Sequence, residues 1–159
     1  LIIHTEVSNL KDKYTSGLLA GLAGGIAATP VNLLLIYLFK IGSLRFVDFA
    51  GTFVFGHFPR GFWEFVVTYL VYLGFSATLG VVFTYLTSFA PNPRFLIKGI
   101  HFGAGIWFFS YAITLLFKIP RLKTVSLGSA VTNFLASMTY GLVVALTLQW
   151  LLKQRQGLK

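Results

Sequence analysis

The stretch that decides the fold is SGLLAGLAGGIAATP, residues 16–30, where a small side chain recurs at nearly every turn of a helix. Two adjacent rows have a spacing of four residues: Gly17, Gly21 and Gly25 in one, and Ser16, Ala20, Gly24 and Ala28 in the other. A dinucleotide-binding loop requires G-x-G-x-x-G after a strand and a P-loop requires G-K-S/T, and neither pattern fits. Rows of small residues instead let a second helix approach backbone to backbone. We therefore predict a packed membrane helix, kinked at Pro30.

The composition indicates that much of the protein faces lipid. Of its 159 residues, 56% are hydrophobic and 11% are charged, and the mean hydropathy is +0.79. A soluble domain carries about 25% charged residues, so the excess apolar surface is expected to contact a bilayer. Cysteine is absent, which excludes disulfides, thiolate metal sites and cysteine nucleophiles.

The net charge of +9 is distributed as membrane-flanking clusters. The basic clusters lie between apolar runs, at residues 11–13, 94–98, 118–123 and 153–155. Such clusters are typical of headgroup contacts, whereas a nucleic-acid interface would concentrate the charge on one continuous face. We expect membrane lipids as partners and no nucleic acid.

Four apolar segments are long enough to cross a bilayer, which takes about 20 helical residues. We predict one membrane domain, residues 1–159, with a polar N-terminal tail at 1–13 and transmembrane helices at 14–39, 62–87, 95–117 and 125–152. Proline-containing polar breaks at 90–94 and 118–123 separate the last three. The predicted fold is all-α, a polytopic integral membrane protein with both termini on the inner side.

The segment 44–56, LRFVDFAGTFVFG, is too short to span and is predicted to form an interfacial amphipathic helix. Arg45, Asp48 and Thr52 follow at steps of three and four and share one helical stripe. A re-entrant hairpin is the alternative.

The later spans also carry small or polar seams. We predict helix packing through Gly99 and Gly103 in the third span and Gly141 in the fourth, whose seam also includes Ser137. Shifted by 78 residues, the first span overlays the third, pairing Gly21 with Gly99 and the ends FKIGSLR and FKIPRLK. This overlay indicates a possible duplicated helical hairpin, although apolar helices also align by chance.

Few polar residues lie within the spans. Asn32 and Asn133 are expected to satisfy one another or a free backbone carbonyl, with substrate contact as the alternative. His101 is interpreted as an interface histidine, with a proton relay or an axial ligand as the functional alternative. No ligand spacing supports a metal or another cofactor, so none is expected.

A second polar group is predicted at one membrane face. It comprises Arg45, Asp48, His57, Arg60 and Glu64. Asp48 is expected to pair with Arg45, and Glu64 can pair with Arg60 at a separation of four. The group either anchors the amphipathic helix, or it acts as a site that gates a substrate or binds an anionic headgroup.

The runs KDKYTSGLLAGLAGGI, LRFVDFAGTFVFGH and LIKGIHFGAGIWFFSYAITLLFKIP resemble a group of small four-span membrane proteins of Gram-positive spore-forming bacteria. The resemblance extends over nearly the whole chain. It implies a multi-pass protein of the bacterial cytoplasmic membrane and transfers no catalytic residue.

The pattern as a whole favours a non-enzymatic membrane protein, because no paired carboxylates and no nucleophile with a base are present. We expect a scaffold, an accessory subunit or a lipid-contacting partner, within a homo-oligomer or larger complex. A small oligomeric transporter or channel along the polar seams is the alternative. A membrane enzyme ranks third and would require His57, Glu64 and His101 to share a cleft.

Overall fold

The computed structural model describes residues 2–87, 94–119, 121–122 and 124–156, with side chains described from Lys13 to Gln154 within these ranges. These residues form five helices: α1 (Ile2–Tyr37), α2 (Phe46–Phe55), α3 (Gly61–Leu86), α4 (Phe95–Leu116) and α5 (Leu127–Gln156). The segment predicted as a polar tail is the first part of α1, which therefore begins earlier than predicted. The prolines of the two predicted breaks lie outside the described residues.

Four of these helices are long and apolar enough to cross a membrane. The candidate spans are Lys13–Tyr37, Gly61–Leu86, Phe95–Leu116 and Leu127–Gln154. This confirms the predicted all-α class with four spans and one short helix, and it indicates a multi-pass membrane protein.

Polar and apolar residues are distributed as expected for a protein surrounded by lipid. Thr68, Thr114 and Asn133 are fully buried, whereas Trp63 and Leu116 are 77% exposed. A water-soluble domain would bury most of its large apolar side chains. The polar side chains inside the bundle and the bulky apolar ones outside match a bilayer environment.

The long helices are arranged in the order α3–α1–α5–α4, and each is antiparallel to its neighbours. Helix α1 packs on α3 and α5, and α5 packs on α1 and α4. The short helix α2 packs mainly on α3. The antiparallel arrangement places the first residues of α3 and of α4 at opposite ends of the bundle.

The α1–α3 crossing is made by backbone contact at glycines. A Cβ on Gly21 would collide with the Ser76 carbonyl, and one on Gly80 would collide with the Gly17 carbonyl. A Cβ on Gly25 would lie 2.8 Å from the side chain of Ser76. The spacing of four residues in the first span therefore forms the packing surface against α3.

The α4–α5 crossing repeats this arrangement. A Cβ on Gly103 would collide with the Ser137 carbonyl, and Gly99 and Gly141 face each other with no room for a Cβ on either. Gly24, on the second row of α1, instead packs against Tyr140 and Val144 of α5. All seven predicted packing glycines thus lie at helix–helix contacts.

The ends of α1 and α4 are also alike. Lys40 and Lys118 both adopt the left-handed backbone conformation, with φ values of 54° and 47°. Leu44 and Leu122, which follow at the same offset, are buried in one apolar cluster. These pairs keep the predicted shift of 78 residues.

The glycines require a correction to the predicted overlay. By its contacts, Gly21 corresponds to Gly103, not to Gly99. The shift between the matching glycines is therefore four residues larger than the shift of 78 at the helix ends. Between its crossing with α3 and its own end, α1 thus contains one more turn than α4 contains between its crossing with α5 and its end. That additional length includes Pro30, which lies inside the continuous helix α1.

Candidate functional site

Helix α2 is anchored at its first turn by Arg45 and Asp48. The Asp48 carboxylate accepts hydrogen bonds from the backbone N–H of Arg45 at 2.8 Å and from its guanidinium at 2.7 Å. The hydrogen bonds with Asp48 raise the pKa of the Arg45 guanidinium above its ordinary value. A carboxylate in the first turn also interacts favourably with the helix dipole.

The polar stripe of the predicted amphipathic helix α2 faces the interior of the protein. Asp48 and Thr52 are 3% and 4% exposed, whereas Phe53 and Val54 on the other side are 58% and 44% exposed. Thr52 donates a hydrogen bond to the Asp48 carbonyl. An apolar outer face is suited to contact with lipid or a ligand.

A buried chain of hydrogen bonds connects α2 to three spans. Asn32 accepts from the backbone N–H of Phe46 at 3.0 Å and donates to Asn133 at 2.9 Å. Asn133 donates to the Tyr111 hydroxyl at 3.0 Å, and Tyr111 donates to the Ser129 carbonyl at 3.3 Å. The two asparagines therefore satisfy one another and hold α2 against the bundle.

The remaining members of the predicted polar group lie at the start of α3. Glu64 accepts a hydrogen bond at 2.7 Å from the backbone N–H of Arg60, and not from its guanidinium. The carboxylate also lies 3.8 Å from Nδ1 of His57, which contacts the Phe58 carbonyl at 2.8 Å. The expected Arg60–Glu64 side-chain pair is replaced by a backbone cap.

His101 is separate from this group. It is exposed on the second turn of α4, at the end of the bundle opposite to the first turn of α3. The enzyme hypothesis requires His101 to share a cleft with His57 and Glu64. The structure does not bring them together. Among the described residues, no three His, Asp or Glu side chains are grouped so as to hold a metal.

An apolar cavity of about 410 Å³ lies between α2, α3 and α4. Its floor is formed by α1 and α5, through Ala28, Ala136, Ser137 and Tyr140. The volume falls within the range of about 300–1,000 Å³ that is usual for small-molecule sites.

The two ends of the cavity are closed by aromatic contacts between helices. At one end, the Phe83 ring of α3 lies 5.5 Å from Phe95 and 5.0 Å from Phe102 of α4. At the other end, α2 packs on α3 and its Phe49 ring lies 5.5 Å from Tyr111 of α4. Helix α2 therefore caps the gap between α3 and α4.

The side of the cavity reaches the surface of the protein. Phe75 on α3 and Phe53 on α2 both line it and are 60% and 58% exposed. Ile113 on α4 lines the opposite wall and is 41% exposed. Phe75 and Ile113 belong to candidate membrane spans, so the opening lies on the apolar outer surface of the bundle.

Most polar atoms of the lining are already bonded within the protein. Ser76 donates to the Tyr72 carbonyl at 2.9 Å, Tyr72 to the Gly25 carbonyl at 3.2 Å, and Tyr140 to the Ser76 carbonyl at 2.6 Å. These contacts leave the cavity wall apolar in spite of its hydroxyl groups. Ser137 differs, because its hydroxyl has no hydrogen-bond partner among the described residues.

Comparison with known families assigns the chain to a group. The profile of a family of unknown function, DUF6789, matches residues 12–159. The chain belongs to the DUF6789 family. The match includes all four candidate spans, and only the first residues of α1 precede it. No curated protein and no solved structure matches significantly.

Sequence reasoning identified the hydrogen-bonded asparagines of this DUF6789 protein but not its cavity. From the sequence, Ser137 is placed only in a helix seam. The cavity exists because α3 and α4 are in contact at Phe83 and apart beside the cavity. This arrangement depends on residues that are distant in the chain. The sequence feature closest to a signal for the cavity is the polar stripe of α2. When this stripe faces inward, Phe49 and Phe53 lie on the faces of α2 that line the cavity.

Proposed function

We propose that this protein is a non-enzymatic membrane protein that binds the hydrocarbon chain of a lipid in the cavity between α2, α3 and α4. The observation that carries the proposal is an apolar cavity whose open side lies between two candidate spans. Following the resemblance to membrane proteins of spore-forming bacteria, we place it in a bacterial cytoplasmic membrane. Lipid contact is the member of the predicted class that this geometry supports best.

The physical argument starts from the cost of an unfilled cavity. Atoms that line a void lose their dispersion contacts on one side. The bilayer is as apolar as the cavity wall, so the hydrophobic effect favours neither location for a lipid chain. Packing between the chain and the rings of Phe53 and Phe75 therefore supplies the preference for the cavity.

The alternative of conduction along the polar seams receives less support. Asn32 and Asn133 bond to each other, and Ser76 and Thr84 bond to carbonyls of their own helix. Polar atoms with such partners are already satisfied and offer little to a passing ion.

The proposal is tested by filling the cavity and measuring the lipid that copurifies. Ser110 on α4 lines the cavity and is half-buried, and Ser110→Phe places a ring inside it. Thr78→Phe is the matched control, because Thr78 is exposed on α3 and does not line the cavity. Native mass spectrometry after detergent exchange measures the bound lipid.

We expect bound lipid on the wild type and on Thr78→Phe, and its loss on Ser110→Phe at an unchanged thermal unfolding temperature. A wild type without retained lipid would contradict the proposal. Equal retention by the two variants would contradict it as well.

A further inference from the structure

One buried hydroxyl among the residues that line the cavity, that of Ser137, has no described hydrogen-bond partner. Ser137 is 3% exposed and lines the cavity, and its Oγ bonds to no described residue. A helical serine can donate to the carbonyl four residues earlier, as Ser76 does to Tyr72. Because an unsatisfied buried hydroxyl is destabilising, a ligand oxygen that accepts from Ser137 would remove this penalty.

The depth of Ser137 restricts the source of that oxygen. Ser137 lies within one turn of the midpoint of the 28-residue candidate span Leu127–Gln154. The ester carbonyls of a phospholipid lie at the border of the hydrocarbon core, about 15 Å from its midplane. The oxygen that reaches Ser137 therefore belongs to a lipid whose head can enter the core.

The lining also restricts the charge of that head. Its described residues are apolar, aromatic or hydroxyl-bearing, and none is Lys, Arg, His, Asp or Glu. A charged group at this depth is costly unless it is paired. The head is consequently neutral.

Aromatic side chains make up six of the sixteen residues that line the cavity. Six rings face the cavity: Phe46, Phe49, Phe53, Tyr72, Phe75 and Tyr140. Aromatic rings pack favourably against other flat rings in stacked or edge-to-face arrangements. A flat head fits this lining better than a branched polar one.

We propose that the cavity binds a neutral long-chain lipid whose head is a flat ring with carbonyl oxygens, of the quinone class, and that one carbonyl accepts a hydrogen bond from Ser137. This inference rests on the proposed function and adds the chemistry of the head to it. The chain of the lipid then extends through the opening between α3 and α4, where Phe75 is exposed.

The test compares two probes and two alanine variants of the protein in detergent. The probes are para-benzoquinone with a decyl chain, which has carbonyl oxygens, and decylbenzene, which has none. Ser137→Ala removes the free hydroxyl. Thr139→Ala is the matched control, because Thr139 lies on the same helix, does not line the cavity, and donates its hydroxyl to the Leu135 carbonyl. Isothermal titration calorimetry measures each dissociation constant.

We expect Ser137→Ala to weaken binding of the quinone about three- to tenfold, to leave decylbenzene binding unchanged, and to unfold at or above the wild-type temperature without a probe. Thr139→Ala should leave the affinity for both probes unchanged. Equal quinone affinity of Ser137→Ala and the wild type, or equal weakening by both variants, overturns the inference.

The two proposals fail in different ways. If decylbenzene binds the wild type as tightly as the quinone and Ser137→Ala changes neither affinity, the head chemistry is wrong and chain binding stands. If neither probe binds the wild type, and Ser110→Phe retains as much copurified lipid as the wild type, chain binding is wrong and the inference about Ser137 is overturned with it.

Discussion

The α1–α3 hairpin and the α4–α5 hairpin make the same crossing but differ in what surrounds it. In the first, Gly21 lies against Ser76, and in the second Gly103 lies against Ser137. Ser76 donates its hydroxyl to its own helix, whereas the hydroxyl of Ser137 has no described partner. The first hairpin also contains α2 between its two spans, and the second has a short connection at the corresponding place.

This difference shows where the bundle leaves free volume. Glycine contacts fix the distance between paired helices, because a Cβ at the contact has no room. With both crossings closed, the free volume lies between the outer helices α3 and α4. The inserted helix α2 caps that volume at one end, and the second hairpin supplies its unsatisfied hydroxyl.

The largest expected effect comes from breaking one crossing. Gly103→Leu forces a side chain into the Ser137 carbonyl and should destabilise the protein by about 3 kcal/mol. Gly105→Leu is the control, because a Cβ on Gly105 meets nothing within 4 Å. Thermal unfolding in detergent measures both. Gly21→Leu should match Gly103→Leu if the crossings are equivalent, and equal unfolding of Gly103→Leu and Gly105→Leu would refute the packing role.

A smaller effect is expected from the hydrogen bonds that join the hairpins. Asn133→Leu leaves the Asn32 amide N–H without its acceptor, removes the hydrogen bond donated to the Tyr111 hydroxyl, and should cost about 2 kcal/mol. The double variant Asn32→Leu/Asn133→Leu should lose about 1 kcal/mol less unfolding free energy than the sum of the losses in the two single variants. Unfolding in sodium dodecyl sulfate measures this coupling, and strict additivity would show that the bond contributes nothing.

The smallest effect is expected at α2, the element that only the first hairpin contains. Asp48→Asn weakens a buried pair and should cost about 1 kcal/mol, with faster hydrogen exchange across Phe46–Phe55. Glu64→Gln is the control, since its carboxylate is about one-third exposed and its pair contributes less. Exchange in α2 that is faster in Glu64→Gln than in Asp48→Asn would disprove the anchoring role.

Sequence reasoning succeeded where the signal is local. A spacing of four residues places Gly17, Gly21 and Gly25 on one helical face whatever the tertiary structure is. The same holds for Arg45 and Asp48, which are three residues apart and form the expected pair. Span length and composition are equally local, and they gave the fold class.

Sequence reasoning failed where the result depends on distant residues. The overlay at a shift of 78 was correct at Lys40 and Lys118 but paired the glycines one turn out of register, because α1 has an additional turn. The polar stripe of α2 has the same sequence pattern whether it faces water or the protein interior, so the pattern does not determine its orientation. The cavity requires the aromatic closure at Phe83 and the cap by α2, and no local pattern encodes that combination.

The most direct test of lipid binding is an experimental structure of the wild-type protein in nanodiscs prepared with a total lipid extract of its native membrane. Our account predicts elongated non-protein density between α3 and α4, passing Phe75 and ending within hydrogen-bonding distance of Ser137 Oγ. A structure in which α3 and α4 close against each other, with no density beside Ser137, would contradict it.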